Sequence, residues 1–359
     1  MSAKTEGKIQ VLGLMSGTSL DGLDMVLCSF EHTEARIQFN ILEAQTINYS
    51  KDWKTKLKEV GKAKAEDYFR LHADYGRFIA EEIVKFLKNI PQKPDYIASH
   101  GHTVFHQPKL GFSTQLGCGA TIAAISSIDT VCDFRSLDVA LGGQGAPLVP
   151  IGDQLLFGDY EACLNIGGIA NISFNNDEGN RVAYDVCEAN MLLNYLSEKI
   201  GHPYDAEGEM ARSGNVDQQL LKKINALPYY REEGAKSIGR EWFEDQVLKT
   251  LEEEHVRITD LLATSTEHVA MIIANELTQK KLKSVLVSGG GAFNSFLMER
   301  IREHTACEII IPNAEIINFK EALIFAFLGY LRVIDKTNTL SSVTGASRNS
   351  IGGAVYTAR

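Results

Sequence analysis

The stretch "GLMSGTSLDGLD", Gly13 to Asp24, carries three glycines, the hydroxyls of Ser16, Thr18 and Ser19, and two aspartates. An apolar run precedes it and another, "LDMVLCSF", resumes after it, so the chain reads as strand, glycine corner, strand. Glycine lets backbone amides come close to a ligand, and those amides with the Thr18 and Ser19 hydroxyls can wrap phosphate oxygens. Asp21 and Asp24 would repel that phosphate unless a divalent cation intervened, and carboxylate plus phosphate oxygens is how Mg²⁺ is usually held. Taken alone, the stretch reads more simply as a tight hairpin whose Asp and Ser cap turn amides.

Working outward, a third strand is expected at "RIQFNILEA". Apolar residues Leu71, Tyr75, Phe78, Ile79, Ile83, Phe86, Leu87 and Ile90 recur at helical spacing, which predicts a long amphipathic helix over 66–90. Pro91 and Pro94 end it, and "DYIASHGHTVFHQP" reads as a strand with a polar loop. The order then repeats. "EACLNIGGIANISFNN" is again strand, glycine corner, strand, and "RVAYDVCEANMLLNYLSEKIG" is a strand feeding a helix. "LLATSTEHVAMIIANELTQKKL" predicts a helix and "SVLVSGGGAF" a strand. Two such passes imply a duplicated α/β domain, divided as 1–140 and 141–359, with "LGGQGAPLVP", Leu141 to Pro150, as hinge or crossover.

Length and composition agree with two domains. At 359 residues the chain exceeds the roughly 250–300 residues at which single cores stop growing. A net charge of −10 argues against a nucleic-acid partner. Six cysteines without C-x-x-C spacing point to reduced thiols, and no apolar segment reaches spanning length. A cytoplasmic protein with small-molecule partners and no membrane partner is expected.

Other motifs carry competing readings. "NIGGIANIS", Asn165 to Ser173, is a second corner that needs no ligand by itself. In "VSGGGAFNSFLMERI", Gly289, Gly290 and Gly291 join a strand to a helix, a junction that can aim amides and the positive helix end at an anion. It has neither the G-x-G-x-x-G spacing nor a P-loop lysine. Three glycine corners in one chain suit a nucleotide gripped by two like domains. Asp185, closing "RVAYD", is a candidate general base or a helix cap. Arg135 in "DFRSLD" can fork onto a phosphate or carboxylate, or pair with Asp133 and Asp138. Glu321, three residues after Asn318, has capping-box spacing. His100, His102 and His106 are tried as zinc ligands, but no matching downstream cluster completes a site.

These pieces together resemble the anhydro-N-acetylmuramic acid kinase family, within the superfamily of sugar kinases, heat-shock chaperone ATPases and actin. The resemblance rests on "GLMSGTSLDGLD", "SHGHTVFHQP", "DFRSLDVALGGQGAPLVP", "NIGGIANIS", "YDAEGEMARSG", "VSGGGAFNSFLMERI", "FKEALIFAFLG" and "SSVTGA", and covers nearly the whole chain. It implies an α/β fold of two actin-like (ribonuclease H-like) domains with an interdomain cleft, each with a duplicated ββ(β)αβ core. It implies ATP and Mg²⁺ as cofactors, an anhydrosugar as substrate, and a homodimer. Gly17, Thr18, Ser19, Leu20, Asp21, Gly22, Leu23 and Asp24 would cradle the phosphates, with Asp21 and Asp24 holding Mg²⁺ through water. Gly167 and Gly168 would form the second phosphate corner, and Gly289 to Gly291 the adenosine side. Asp185 matches the water-activating aspartate, and His100, Arg135, Asn190 and Glu321 fall at substrate positions.

The implied reaction is opening of the 1,6-anhydro bridge by water with phosphorylation of O6, a step of cell-wall recycling. Two departures stand out. The family's T-G-P-G-N after the aspartate is replaced here by Val186, Cys187, Glu188, Ala189 and Asn190, and His102 stands where glutamine is common. Glu188 would place a negative charge beside substrate or phosphate. That leaves open a divergent ATP-binding member that acts on another saccharide or serves as a nucleotide-gated sensor.

Overall fold

A computed structural model describes residues 7–17, 20–33, 36–232, 234–252 and 256–359. The chain divides into two compact units, residues 1–156 with 319–359, and residues 157–318.

The first unit is built on β1 (Ile9–Ser16), β2 (Gly22–His32), β3 (Ile37–Asn48), β4 (Tyr96–Gln107), β5 (Phe112–Leu116) and β6 (Thr130–Cys132). β1 and β2 pair antiparallel from Ile9 opposite Phe30 to Ser16 opposite Leu23, and β3 extends the meander. β4 lies parallel to β1 on its other side and β6 parallel to β4, giving the order 3-2-1-4-6. The last strand, Ala354–Tyr356, pairs with β6.

Alternation on β1 explains what covers each face. Leu12 and Leu14 join Tyr75, Ile79, Ile83 and Phe86 of the helix Ala65–Leu87 in one cluster. On the opposite face a Cβ at Gly13 would strike the Ala322 carbonyl oxygen and lie 2.8 Å from the Ala326 Cβ. The helix Ala314–Val333 thus crosses the strand at near-backbone contact, and only glycine leaves room for it.

The second unit repeats the plan. β7 (Ala162–Ile166), β8 (Ile169–Asn175) and β9 (Arg181–Glu188) form an antiparallel meander. β10 (Ser284–Ser288) lies parallel to β7, and β11 (Glu308–Ile310) parallel to β10, in the order 9-8-7-10-11. The helix Ile258–Gln279 contributes Val269, Ala270, Ile273 and Leu277 to the core against this sheet. Element order in the two halves had suggested duplication; the matching strand orders establish it.

Several expectations change. The division after residue 140 does not match the observed units, because residues 319–359 return to the first sheet. Leu141 to Pro150 is no hinge: Gln144 N–H donates to the Thr344 carbonyl at 2.8 Å and Gly145 N–H to Asp138 at 2.8 Å, all within the first unit. The polar run after Ile97 is strand rather than loop, because β5 supplies it with a partner. Asn318 is not a cap, since Asn313 accepts from Ile316 N–H at 2.9 Å at the helix start and Glu321 lies in the helix interior.

Gly13→Val should lower unfolding stability by about 1–3 kcal/mol through overpacking against Ala322 and Ala326. Urea melts check this; an unchanged midpoint would contradict the contact.

Candidate active site

In the second unit the β7–β8 corner is stitched to the start of the helix Asn190–Glu198. The Gly168 carbonyl accepts from the N–H groups of Ala189 and Met191, each at 2.9 Å, and the Gly167 carbonyl from Asn190 N–H at 3.1 Å. Asn190 in turn donates through Nδ2 to the Ile166 carbonyl at 3.3 Å.

The triple glycine reaches the same place. A Cβ at Gly289, whose φ is +82°, would lie 2.6 Å from Asn165 Oδ1 and 2.8 Å from the Ile166 carbonyl oxygen. One at Gly291 would press on the Ile166 side chain, so both glycines exist to let two backbones touch. Gly167, Gly168 and Gly290 differ. None has a left-handed φ, and an added Cβ would meet nothing nearer than 3.5, 3.9 and 3.8 Å respectively. Neither backbone conformation nor packing demands glycine at these three positions. The helix after the triple glycine contributes less than expected. A short 3₁₀ turn, Gly290–Phe293, intervenes, and Asn294 Oδ1 already accepts from Leu297 N–H at 2.9 Å.

Asp185 caps no helix, because β9 runs on to Glu188. The β8–β9 register shifts between Ala170 and Asn171, where Asp185 and Cys187 face successive residues. Such a bulge re-aims a side chain. Asp185 is half-buried. Its Oδ2 accepts from Ile238 N–H at 2.9 Å and Ser237 Oγ at 3.1 Å, and Oδ1 has no partner among the described residues. Burial raises its pKa, and those two donors oppose the rise.

Glu188 does not stand beside a ligand site. It is fully buried, accepting from Tyr230 Oη at 2.7 and 2.9 Å and lying 3.1 Å from His268 Nε2. The expectation of an added charge beside substrate is overturned, since a buried carboxylate must be met by protein donors.

In the first unit, Asp24 Oδ1 accepts from the Thr46 hydroxyl at 2.6 Å. Burial raises the Asp24 pKa, Thr46 opposes the rise, and Asp21 adds to it. Glu321 keeps surface open to solvent, yet protein crowds around it. Burial raises its pKa first and Asp24 adds to the rise, while Arg135 and Lys320 oppose it. Lys320 is itself paired with Asp153 at 2.8 Å. Gly22 serves the fold, because a Cβ there would lie 2.6 Å from the Ile47 carbonyl. The Leu23 side chain is buried in the core, and Leu20 has φ +59°. Thr18 and Ser19 lie outside the described residues.

Arg135 does not pair with Asp133 or Asp138 among the described residues. It donates to the Gly145 carbonyl at 2.6 Å and, through Nε and Nη2, to His100 Nε2 at 3.2 and 2.8 Å. Arginine cannot accept, so His100 Nε2 is the bare acceptor and Nδ1–H donates to the Gly101 carbonyl at 2.8 Å. Burial, then the Arg135 charge, holds the His100 pKa well below the usual histidine range, and burial brings Arg135 down to about 10.

His102, also lowered by burial, is fixed by a hydroxyl chain. Tyr49 donates to Ser16 Oγ at 2.7 Å, so Tyr75, 2.5 Å away, donates to Tyr49. Ser16 is then free to donate to His102 Nδ1 at 3.2 Å. His106 Nδ1 lies 3.1 Å from Ser113 Oγ. Sequence reasoning missed Asn165, Ser237, Tyr230 and His268. Only Asn165, inside "NIGG", stood next to a visible signal.

The repeated strand order and the glycine corner at the same step of each unit define a duplicated actin-like α/β protein. A family model described as anhydro-N-acetylmuramic acid kinase matches residues 9–358. The chain belongs to that family. It is 36% identical to the anhydro-N-acetylmuramic acid kinase of Sulfurimonas denitrificans over 378 aligned residues, covering 96% of this chain and 98% of that one. The protein of the same description from Aliivibrio fischeri is 37% identical over 371, covering 97% and 99%. Among solved structures, component A of the Acidaminococcus fermentans (R)-2-hydroxyglutaryl-CoA dehydratase aligns at a TM-score of 0.49 and 13% identity, over 90% of this chain and 99% of that one.

Because folded His100 and His102 resist protonation, their contribution to stability is present above the ordinary histidine pKa of about 6.5 and is lost as pH falls below it. The urea midpoint should therefore drop between pH 7 and 5, and drop less in His100→Gln. Equal slopes in the two proteins would contradict the Arg135–His100 assignment.

Proposed function

We propose that this chain is an ATP-dependent kinase that opens 1,6-anhydro-N-acetylmuramic acid with water and phosphorylates O6, giving N-acetylmuramic acid 6-phosphate. The kinase activity and the role in cell-wall recycling follow from family membership; the residue roles are our assignment.

The observation that carries it is the Asp185 carboxylate. One oxygen is pinned by two donors, the other has no partner among the described residues, and burial keeps the group basic enough to take a proton. A water hydrogen-bonded to Oδ1 gives its proton to Asp185 as its oxygen bonds to the anomeric carbon. The C1–O6 bond breaks, and O6, carrying the electron pair, bonds to the γ-phosphorus as ADP leaves. Among side chains of the first unit, Glu321 with its raised pKa is assigned to the sugar, beside Arg135 and His100.

Gly167, Gly168 and Gly290, where a Cβ would meet nothing closer than 3.5 Å and packing does not demand glycine, fit the approach of phosphate oxygens to backbone amides. Thr18 and Ser19 remain assigned to the same task from the resemblance. Asp21 and Asp24, close enough for one to raise the other's pKa, fit Mg²⁺, which is held by one or two carboxylates plus waters and phosphates. Held there, Mg²⁺ would supply charge neutralisation to the transferring group. We assign the protein to the cytoplasm, in keeping with six free cysteines. Among the described residues no helix is long and apolar enough to cross a membrane. Another saccharide or a sensor was left open by the replaced segment Val186–Asn190, and of its features the Glu188 charge, buried away from solvent, no longer supports that reading.

Asp185→Asn should cut turnover by roughly 10³-fold or more while ADP affinity stays within about twofold, the signature of a lost transition-state interaction. Phosphosugar formation from ATP, Mg²⁺ and the anhydrosugar checks this. Turnover near that of the parent would exclude Asp185 as base.

A further inference from the structure

The residues Val186 to Asn190, which stand in place of T-G-P-G-N, continue β9 as far as Glu188. One of them, Glu188, does something the site description leaves unused. It sits three residues after Asp185 and two before Asn190, and no part of it reaches solvent. Its two oxygens take the Tyr230 hydroxyl, and Oε1 meets His268 Nε2 on the helix Ile258–Gln279. His268 Nδ1 is 2.5 Å from Asn225 Oδ1, so the ring is held from both ends. A single proton between His268 Nε2 and Glu188 satisfies both atoms and leaves the pair without net charge, whichever carries it. That removes most of the cost of burying a lone carboxylate.

Tyr230 belongs to a segment that also grips Asp185. Tyr229 Oη donates to the Asp185 carbonyl at 2.8 Å, and Asp185 N–H donates to the Lys236 carbonyl at 3.1 Å. Ser237 and Ile238 supply the two donors on Oδ2. Lys236 Nζ closes the segment on itself, donating to the carbonyls of Tyr229 and Glu232 at 3.2 and 3.0 Å and lying over the Tyr229 ring. Trp242 packs on both tyrosines, with ring centroids 5.0 and 5.9 Å away.

We propose that Glu188, through Tyr230 and His268, anchors the segment carrying Tyr229, Lys236, Ser237 and Ile238 as a latch that positions the Asp185 carboxylate. Glu188, Tyr230, His268 and Ser237 are positioning residues that act through Asp185. The proposal rests on Asp185 being the base.

The test compares the parent with Tyr230→Phe, Ser237→Ala, Glu188→Gln and Asp185→Asn, measuring kcat, KM for the anhydrosugar, the Kd for ADP, and the pH dependence of kcat. Because a misplacement of about 1 Å can cost 10²-fold, Tyr230→Phe and Glu188→Gln should lower kcat between about ten- and a hundredfold, with the Kd for ADP unchanged. Activity falls on the acid side as Asp185 gains a proton. Loosening the Oδ2 donors removes what holds that carboxyl down, so the acid limb should move to higher pH in Tyr230→Phe and Ser237→Ala. A role confined to stability would leave the limb in place. Should Glu188→Gln not fold, Tyr230→Phe, which deletes one oxygen, carries the test. If Asp185→Asn is inactive while Tyr230→Phe keeps the parent's kcat and acid limb, the latch is overturned and the base survives. If Asp185→Asn turns over normally, both fall.

Discussion

The contact on which the second unit's site depends is backbone against backbone at Ile166. Gly289 and Gly291 meet its carbonyl and side chain closer than any Cβ allows, and Asn190 binds the same carbonyl. With the corner carbonyls of Gly167 and Gly168 taken by the helix start, three separate segments converge without side chains between them. At Gly167, Gly168 and Gly290 an added Cβ would meet nothing closer than 3.5 Å, so packing does not require glycine there.

Charge is placed with the same economy. Arg135, the obvious anion fork of the first unit, is largely committed to His100 and Gly145, which fixes the imidazole tautomer and leaves the arginine oriented rather than free. Burial and then the Asp24 charge raise the Glu321 pKa, Asp24 is itself raised by burial with Asp21 adding to it, and Asp185 is raised by burial against two opposing donors. A carboxylate that is partly desolvated and hydrogen-bonded on one oxygen is a better base than an exposed one.

Much of this was legible in the sequence, and the failures have physical causes. Glycine punctuation and apolar periodicity showed both meanders and the helices Ala65–Leu87 and Ile258–Gln279, because local chemistry dictates them. Strand order and the return of residues 319–359 to the first sheet were not legible, since pairing between distant segments leaves no local signature. Glu321 was mistaken for a cap because its spacing from Asn318 imitates one inside a helix. Glu188 was misjudged for a different reason: a charged residue beside a motif gives no sign that Tyr230 and His268, 42 and 80 positions away, bury it. The donors that orient Asp185 come from Ser237 and Ile238, where nothing in the sequence marks them.

The central claim is that the open corner over Gly168 exists for a nucleotide's phosphates rather than for the fold. Calorimetric titration of a non-hydrolysable ATP analogue with Mg²⁺ into the parent and into Gly168→Val tests it most directly, with thermal melts run alongside. The account predicts heat of association in the parent, none in the variant, and matching melting temperatures. Equal binding by both proteins would contradict it.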